Sequence, residues 1–142
     1  MNLKDVLAGK THRVVTVSAK ASIAEAIRTM SAERVGAVLV PDATGCPVGI
    51  FTERDVVSVY AAGDRDFEQL TIESRMTCSV VVGRLAMSVD DALGLMTERR
   101  FRHLPVVEEG KLLGLVSIGD LVKEKLNETA QEAQALRSYI AS

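Results

Sequence analysis

A pattern in the first half of this chain returns in the second, and a duplication of that length dictates the architecture before any single residue is considered. Displaced by 66 positions, Ser22, Ile23, Ala26, Ile27 and Met30 fall on Ser88, Val89, Ala92, Leu93 and Met96, and Val40 falls on Val106. After one residue is dropped from a turn, a displacement of 65 lays Gly49, Thr52 and Asp55 on Gly114, Ser117 and Asp120. The agreement runs over about 45 residues per copy, too long and too well ordered for chance.

Each copy reads as βαββα. The β-branched runs Val14 to Val17 and Val80 to Val82 suit short first strands. Ser22 with Glu25 three residues on, and Ser88 with Asp91, are capping-box signatures at the start of a helix whose apolar residues recur on one face. Strands follow at Ala37 to Val40 and Leu104 to Val107, closed by turn residues at Asp42 to Pro47 and Glu108 to Lys111. Their hairpin partners are Val48 to Phe51 and Leu113 to Val116, each running into a second helix near Thr52 or Ser117. The fold class is α+β: two βαββα repeats and a long C-terminal helix. The boundaries read as residues 1–63 for the first repeat with its N-terminal lead-in, 64–79 for a linker, 80–126 for the second repeat and 127–142 for a C-terminal helical extension. Leu121, Val122, Leu126, Ala130, Ala133, Leu136 and Ile140 make the tail amphipathic. One apolar edge of it packs on its own domain or forms a dimer contact.

With 142 residues, 47% hydrophobic and 25% charged, the composition is that of an ordinary globular protein. A net charge of −2 provides no global basic field for nucleic acid. Arg99 to His103 with Lys111 form a local basic cluster, but aromatic residues are only 4% of the chain and no stacking platform accompanies it. The start of the chain lacks a signal-peptide apolar run, and no stretch approaches the length of a membrane span. Cys46 and Cys78 sit singly and read as unpaired thiols in a reducing compartment. A cytoplasmic protein without nucleic-acid or membrane partners is the expectation.

The segments Gly49 to Asp55 and Gly114 to Asp120 share one order: glycine, two apolar residues, hydroxyl, two variable residues, aspartate. Thr52 with Asp55, and Ser117 with Asp120, satisfy a helix cap and need no ligand for that. The glycine near each strand end is a different matter, because it weakens a strand and marks close approach of a ligand or another backbone. A ligand explains both features. Free amides and a hydroxyl at a helix start favour an anion, and an acidic residue one turn in can hold a ribose diol.

This repeated pattern resembles the tandem CBS domain pair, or Bateman module, over nearly the whole chain. The resemblance implies two repeats packed by their sheets around a pseudo-twofold axis, with two clefts for adenine nucleotides and a tendency to dimerise. It implies that Gly49, Thr52 and Asp55 serve one cleft and Gly114, Ser117 and Asp120 the other, through ribose and phosphate. It also draws attention to Arg102 and His103 before the second repeat's central strand. Many nucleotide-binding pairs carry a His/Arg couple there that reaches the phosphates, and here the order is reversed. A guanidinium suits phosphate because its planar fork donates two bonds at once, although basic residues in a last helical turn also simply complement the helix dipole. The first repeat has Gly36 and Ala37 at these positions, so the two clefts are expected to be unequal. Arg54, matched by Gly119, is a further cation for a cleft or a partner for Glu53 or Asp55. Val17 and Ala37 are candidates for contact with the base.

An enzyme would need a nucleophile with its base, or a metal set. His12 and His103 are the only histidines, neither cysteine has a local histidine partner, and no GxSxG, HExxH or Walker loop occurs. No catalytic residue, metal or required cofactor is therefore expected. The resemblance implies a regulatory module that binds AMP first, with ATP, ADP or NAD(H) as other adenosine ligands, and signals energy or redox state to a protein partner in trans, most simply as a homodimer. The competing reading is a dimerisation or scaffold module that binds no ligand.

Overall fold

The computed structural model describes residues 1–10 and 14–141; His12 and Arg13 lie outside them. The chain divides into two units, residues 12–81 with 109–112, and residues 1–11 with 82–108 and 113–142.

The first unit holds helix α2 (Ile23–Glu33), strands β1 (Ala37–Pro41) and β2 (Pro47–Thr52) and helix α3 (Glu53–Ala61). The Ser22 hydroxyl accepts from the Glu25 N–H and starts α2. The capping runs one way here: the Ser22 position pairs with Thr71 across an antiparallel bridge, and the full reciprocal box is found at α3 instead. Arg34 ends α2 in the left-handed region, φ 56°, so that the chain turns back into β1. The hairpin pairs Val38 with Phe51 and Leu39 with Ile50 in antiparallel register. Its turn is held by the Asp42 carboxylate, which accepts from the Thr44 N–H and hydroxyl at 2.8 and 2.6 Å. Ile23, Met30, Val38, Val40, Phe51, Val59 and Ile72 close the core. Ile72 belongs to a single 3₁₀ turn, Ile72–Ser74, in the stretch read above as linker; that stretch packs against the repeat.

The second unit repeats the pattern with α4 (Val89–Arg99), β3 (His103–Glu108), β4 (Lys111–Ser117) and α5 (Ile118–Ala141). Ser88 caps α4 through the Asp91 N–H, and Arg100 ends it at φ 57°, matching Arg34. The N-terminal helix α1 (Leu3–Ala8), assigned above to the first repeat as its lead-in, packs in this unit. Asn2 and Asp5 cap it reciprocally, and Leu3 and Val6 are buried with Val89, Met96, Leu104 and Leu121.

The expected first strands are reduced to single parallel bridges, Thr16 with Leu39 and Gly83 with Val106. In the first repeat, Val17 donates to Leu39 and Leu39 to Val15 before the chain turns at Ser18. In the second, the bridge falls on Gly83, just past the valine run. A Cβ there would stand 2.7 Å from Leu3 Cδ1 and 2.9 Å from Leu104 Cδ2, so the close approach of two leucines requires glycine. The tail and the second helix of the repeat are one helix, α5. Its apolar edge does not pack on its own unit past Leu121: Leu126, Leu136 and Ile140 are 65%, 59% and 73% exposed.

Candidate functional site

Each repeat places its hydroxyl and aspartate where a strand hands over to a helix. In the first, the Thr52 N–H donates to Asp55 Oδ2 at 2.9 Å and the Asp55 N–H to the Thr52 hydroxyl at 3.4 Å. The remaining oxygen, Oδ1, accepts from the Thr77 hydroxyl at 3.3 Å. Thr77 is held there by its backbone, which pairs with Ile50 of β2 at 3.0 and 2.9 Å. Ala37 stands opposite Thr52 in the hairpin, and the Glu53 N–H donates to the Gly36 carbonyl, so the start of β1 lies against the start of α3. Gly36 and Glu53 also line an open groove of about 570 Å³ with Ile27, Met30, Arg34 and Val56. That size is within the range of small-molecule sites.

The second repeat reproduces the junction. The Ser117 N–H donates to Asp120 Oδ2 at 2.8 Å, the Asp120 N–H to the Ser117 hydroxyl at 3.1 Å, and the Ile118 N–H to the Arg102 carbonyl at 2.8 Å. The new feature is Lys10. Its ammonium bonds Asp120 Oδ2 at 2.6 Å and also donates to the Leu115 carbonyl. Burial works to raise the Asp120 carboxyl, but the Lys10 ammonium and the Ser117 amide outweigh it and hold the carboxyl below its ordinary value. The first repeat offers its aspartate a neutral hydroxyl; the second offers a full positive charge.

The structure thus brings Thr52, Asp55 and the backbone before Ala37 together in one unit, and Ser117, Asp120 and the Arg102 carbonyl in the other. The Arg102 side chain is exposed, and His103 opens β3 half-buried. Arg54 lies on the exposed first turn of α3. Ala37 is 1% exposed, and Val17 is half-buried against the core of its own repeat.

The glycines have a different explanation from the one expected. A Cβ on Gly49 would lie 2.2 Å from Met76 Sδ, and one on Gly114 would lie 2.6 Å from Leu7 Cδ2. A side chain from the segment preceding each junction fills the space, and no ligand is needed to account for the missing Cβ. Lys10, Leu7, Met76 and Thr77 escaped the sequence reading because nothing in their spacing links them to the junctions.

Among the described residues there is no cluster of His, Cys, Asp and Glu able to hold a metal ion, and no helix long and apolar enough to cross a membrane. Cys46 and Cys78 are free thiols.

A sequence model of the CBS domain matches residues 3–62 and 71–127. The chain is 36% identical to the CBS domain-containing protein YhcV of Bacillus subtilis over 133 residues, 93% of this chain and 91% of that one. It superposes with a TM-score of 0.83 on a CBS-domain protein of Agrobacterium tumefaciens that is 44% identical, covering 87% of this chain and 92% of that chain. Two further CBS structures carry adenosine ligands, AMP in CBSX2 and 5′-methylthioadenosine with S-adenosyl-L-methionine in another CBS pair. Both are 24% identical over 90% of this chain and 98% of theirs, with TM-scores of 0.76 and 0.79, and they share its fold. CBS-domain proteins are in general regulatory and non-catalytic, and the matches indicate no enzymatic family. With both repeats matched and one relative similar over more than nine-tenths of each chain, the protein is a member of the CBS-domain family.

Proposed function

We propose that this chain is a regulatory module that binds an adenine nucleotide and passes the bound state to a protein partner in trans, as a cytoplasmic homodimer. The observation that carries the reading is the duplicated junction in which a hydroxyl and an aspartate meet where a strand hands over to a helix. AMP is the first ligand to test, followed by ATP, ADP and NAD(H). Thr52 and Asp55 form one binding element, supported by Arg54. Ser117 and Asp120 form the other, with Arg102 and His103 supplying donors for phosphate. Lys10 places a cation beside Asp120, whereas the Asp55 carboxylate of the first element accepts from the neutral Thr77 hydroxyl; this makes the second element the better one for a phosphorylated ligand. Binding favours one conformation by its differential affinity, and the partner reads that conformation.

The competing scaffold reading has its own support. Met76 and Leu7 fill the space beside Gly49 and Gly114, and Asp120 already has an ion-pair partner. Calorimetric and thermal-shift titration with AMP, ATP, NADH and S-adenosylmethionine decides between them, with Asp55→Ala and Asp120→Ala run alongside. A nucleotide at 100 times its dissociation constant stabilises the fold by about 2.7 kcal/mol. A shift that one aspartate substitution abolishes supports the sensor and identifies the element used. No heat and no shift with any ligand, in protein stripped of nucleotide, establishes the scaffold.

A further inference from the structure

Helix α5 uses one face to pack and leaves another uncovered. Leu121 is buried, and Glu124, Lys125 and Glu128 on the same side are half-buried. Lys125 pairs with Asp90 at 2.9 Å, tying this stretch to α4. Beyond Glu128 every described residue of the helix is exposed. That projecting part runs for about 20 Å at 1.5 Å per residue, a length at which a helix in water is marginal without tertiary packing.

About a quarter-turn from the packed face lies a second stripe: Val122, Leu126, Thr129, Ala133, Leu136 and Ile140. The steps between them alternate four and three, the spacing of a coiled-coil seam. Its four large residues are 43%, 65%, 59% and 73% exposed in chain order. The stripe begins where the helix is still anchored and runs to its last turn.

We infer that this stripe is the contact between two copies of the chain, whose α5 helices pair in parallel. The inference rests on the homodimer reading above and assigns it a surface. Charge beside the seam selects both the occupant and the direction. Lys125, Glu132 and Tyr139 flank it on one side and Lys123, Ala130 and Arg137 on the other. In a parallel pair, the flanking residue of one helix faces the residue five positions further along in its mate. Glu132 then meets Arg137 of the second copy twice, and Lys125 meets Ala130. In an antiparallel pair each flank faces itself, which sets Glu132 against Glu132 and Lys123 against Arg137. Every charged pair in that arrangement is like with like, so the sequence disfavours it. Small Thr129 and Ala133 at the middle of the seam let the two helices approach closely.

The full chain is tested by sedimentation equilibrium, with circular dichroism to verify folding. A dimer is expected, and Leu136→Glu with Ile140→Glu should make it monomeric at micromolar concentration. Glu132→Arg alone and Arg137→Glu alone should each weaken association about tenfold, and the two together should restore it. In a Cys46→Ser, Cys78→Ser background, Ala133→Cys should form a disulfide with its own copy. A monomeric parent protein overturns both this inference and the homodimer reading. A dimer indifferent to the Leu136 and Ile140 substitutions overturns the seam alone. Failure of the charge exchange to restore association, or of Ala133→Cys to cross-link, overturns the parallel arrangement. Nucleotide titration of the seam variants reads the sensor function separately.

Discussion

Lys10 and Asp120, 110 positions apart in the chain, form a 2.6 Å ion pair at the N-terminus of α5, with the lysine 19% and the aspartate 30% exposed. Lys10→Met should cost about 1.5–3 kcal/mol in urea denaturation at neutral pH, the range for a hydrogen bond to a charged group. In an Asp120→Asn background most of that cost should vanish, and the coupling energy of the double-mutant cycle isolates the pair.

The same pair sets a pH dependence. The folded state holds the Asp120 carboxyl below its ordinary 3.8, so the folded form binds its proton less readily than the unfolded form. The stabilisation is therefore complete above the ordinary carboxylate value and is lost as pH falls through the lowered folded value. Acid titration of stability should show a steeper loss below about pH 4 in the parent than in Lys10→Met. Equal slopes would show that Lys10 does not hold Asp120 in its ionised form.

Gly49→Ala and Gly114→Ala should each destabilise the fold by about 1–3 kcal/mol, the usual cost of overpacking. The new methyl groups would meet Met76 Sδ at 2.2 Å and Leu7 Cδ2 at 2.6 Å. Gly49→Ala combined with Met76→Ala should recover part of the loss by removing the collision. A double variant no better than the sum of its parts would show that Met76 is not why the position needs glycine.

Arg34 ends α2 at φ 56°, a conformation that a side chain with a Cβ disfavours and glycine adopts freely. Arg34→Gly should raise stability by about 0.5–1 kcal/mol, the left-handed strain removed being partly offset by the larger unfolded-state entropy of glycine. Thermal melts of Arg34→Gly and Arg34→Val should move in opposite directions. Arg100, at φ 57°, has the matching conformation in the second repeat.

What the sequence showed well was what depends on near neighbours. Ser22, Thr52, Ser88 and Ser117 each bond an amide three residues on, so their caps are decided by a few consecutive dihedral angles. The hairpin strands fell within one or two residues of their expected ends for the same reason, since the turn residues that close them are local. The valine runs at 14–17 and 80–82 were poorer guides. High strand propensity does not create a ladder where the neighbouring strand offers only one bridging position, at Leu39 or at Val106.

The sequence by itself thus determined the duplication, the helix, hairpin and second helix of each repeat and the capped junctions that carry the candidate site, because each follows from interactions spanning a few residues or from the repetition itself. Tertiary structure alone decided that Met76 and Leu7 occupy the space beside the two glycines. It also decided that Asp55 faces Thr77 while Asp120 faces Lys10. The physical reason is that packing joins residues far apart in the chain, by shape and burial, and leaves no periodic trace in the order of the amino acids.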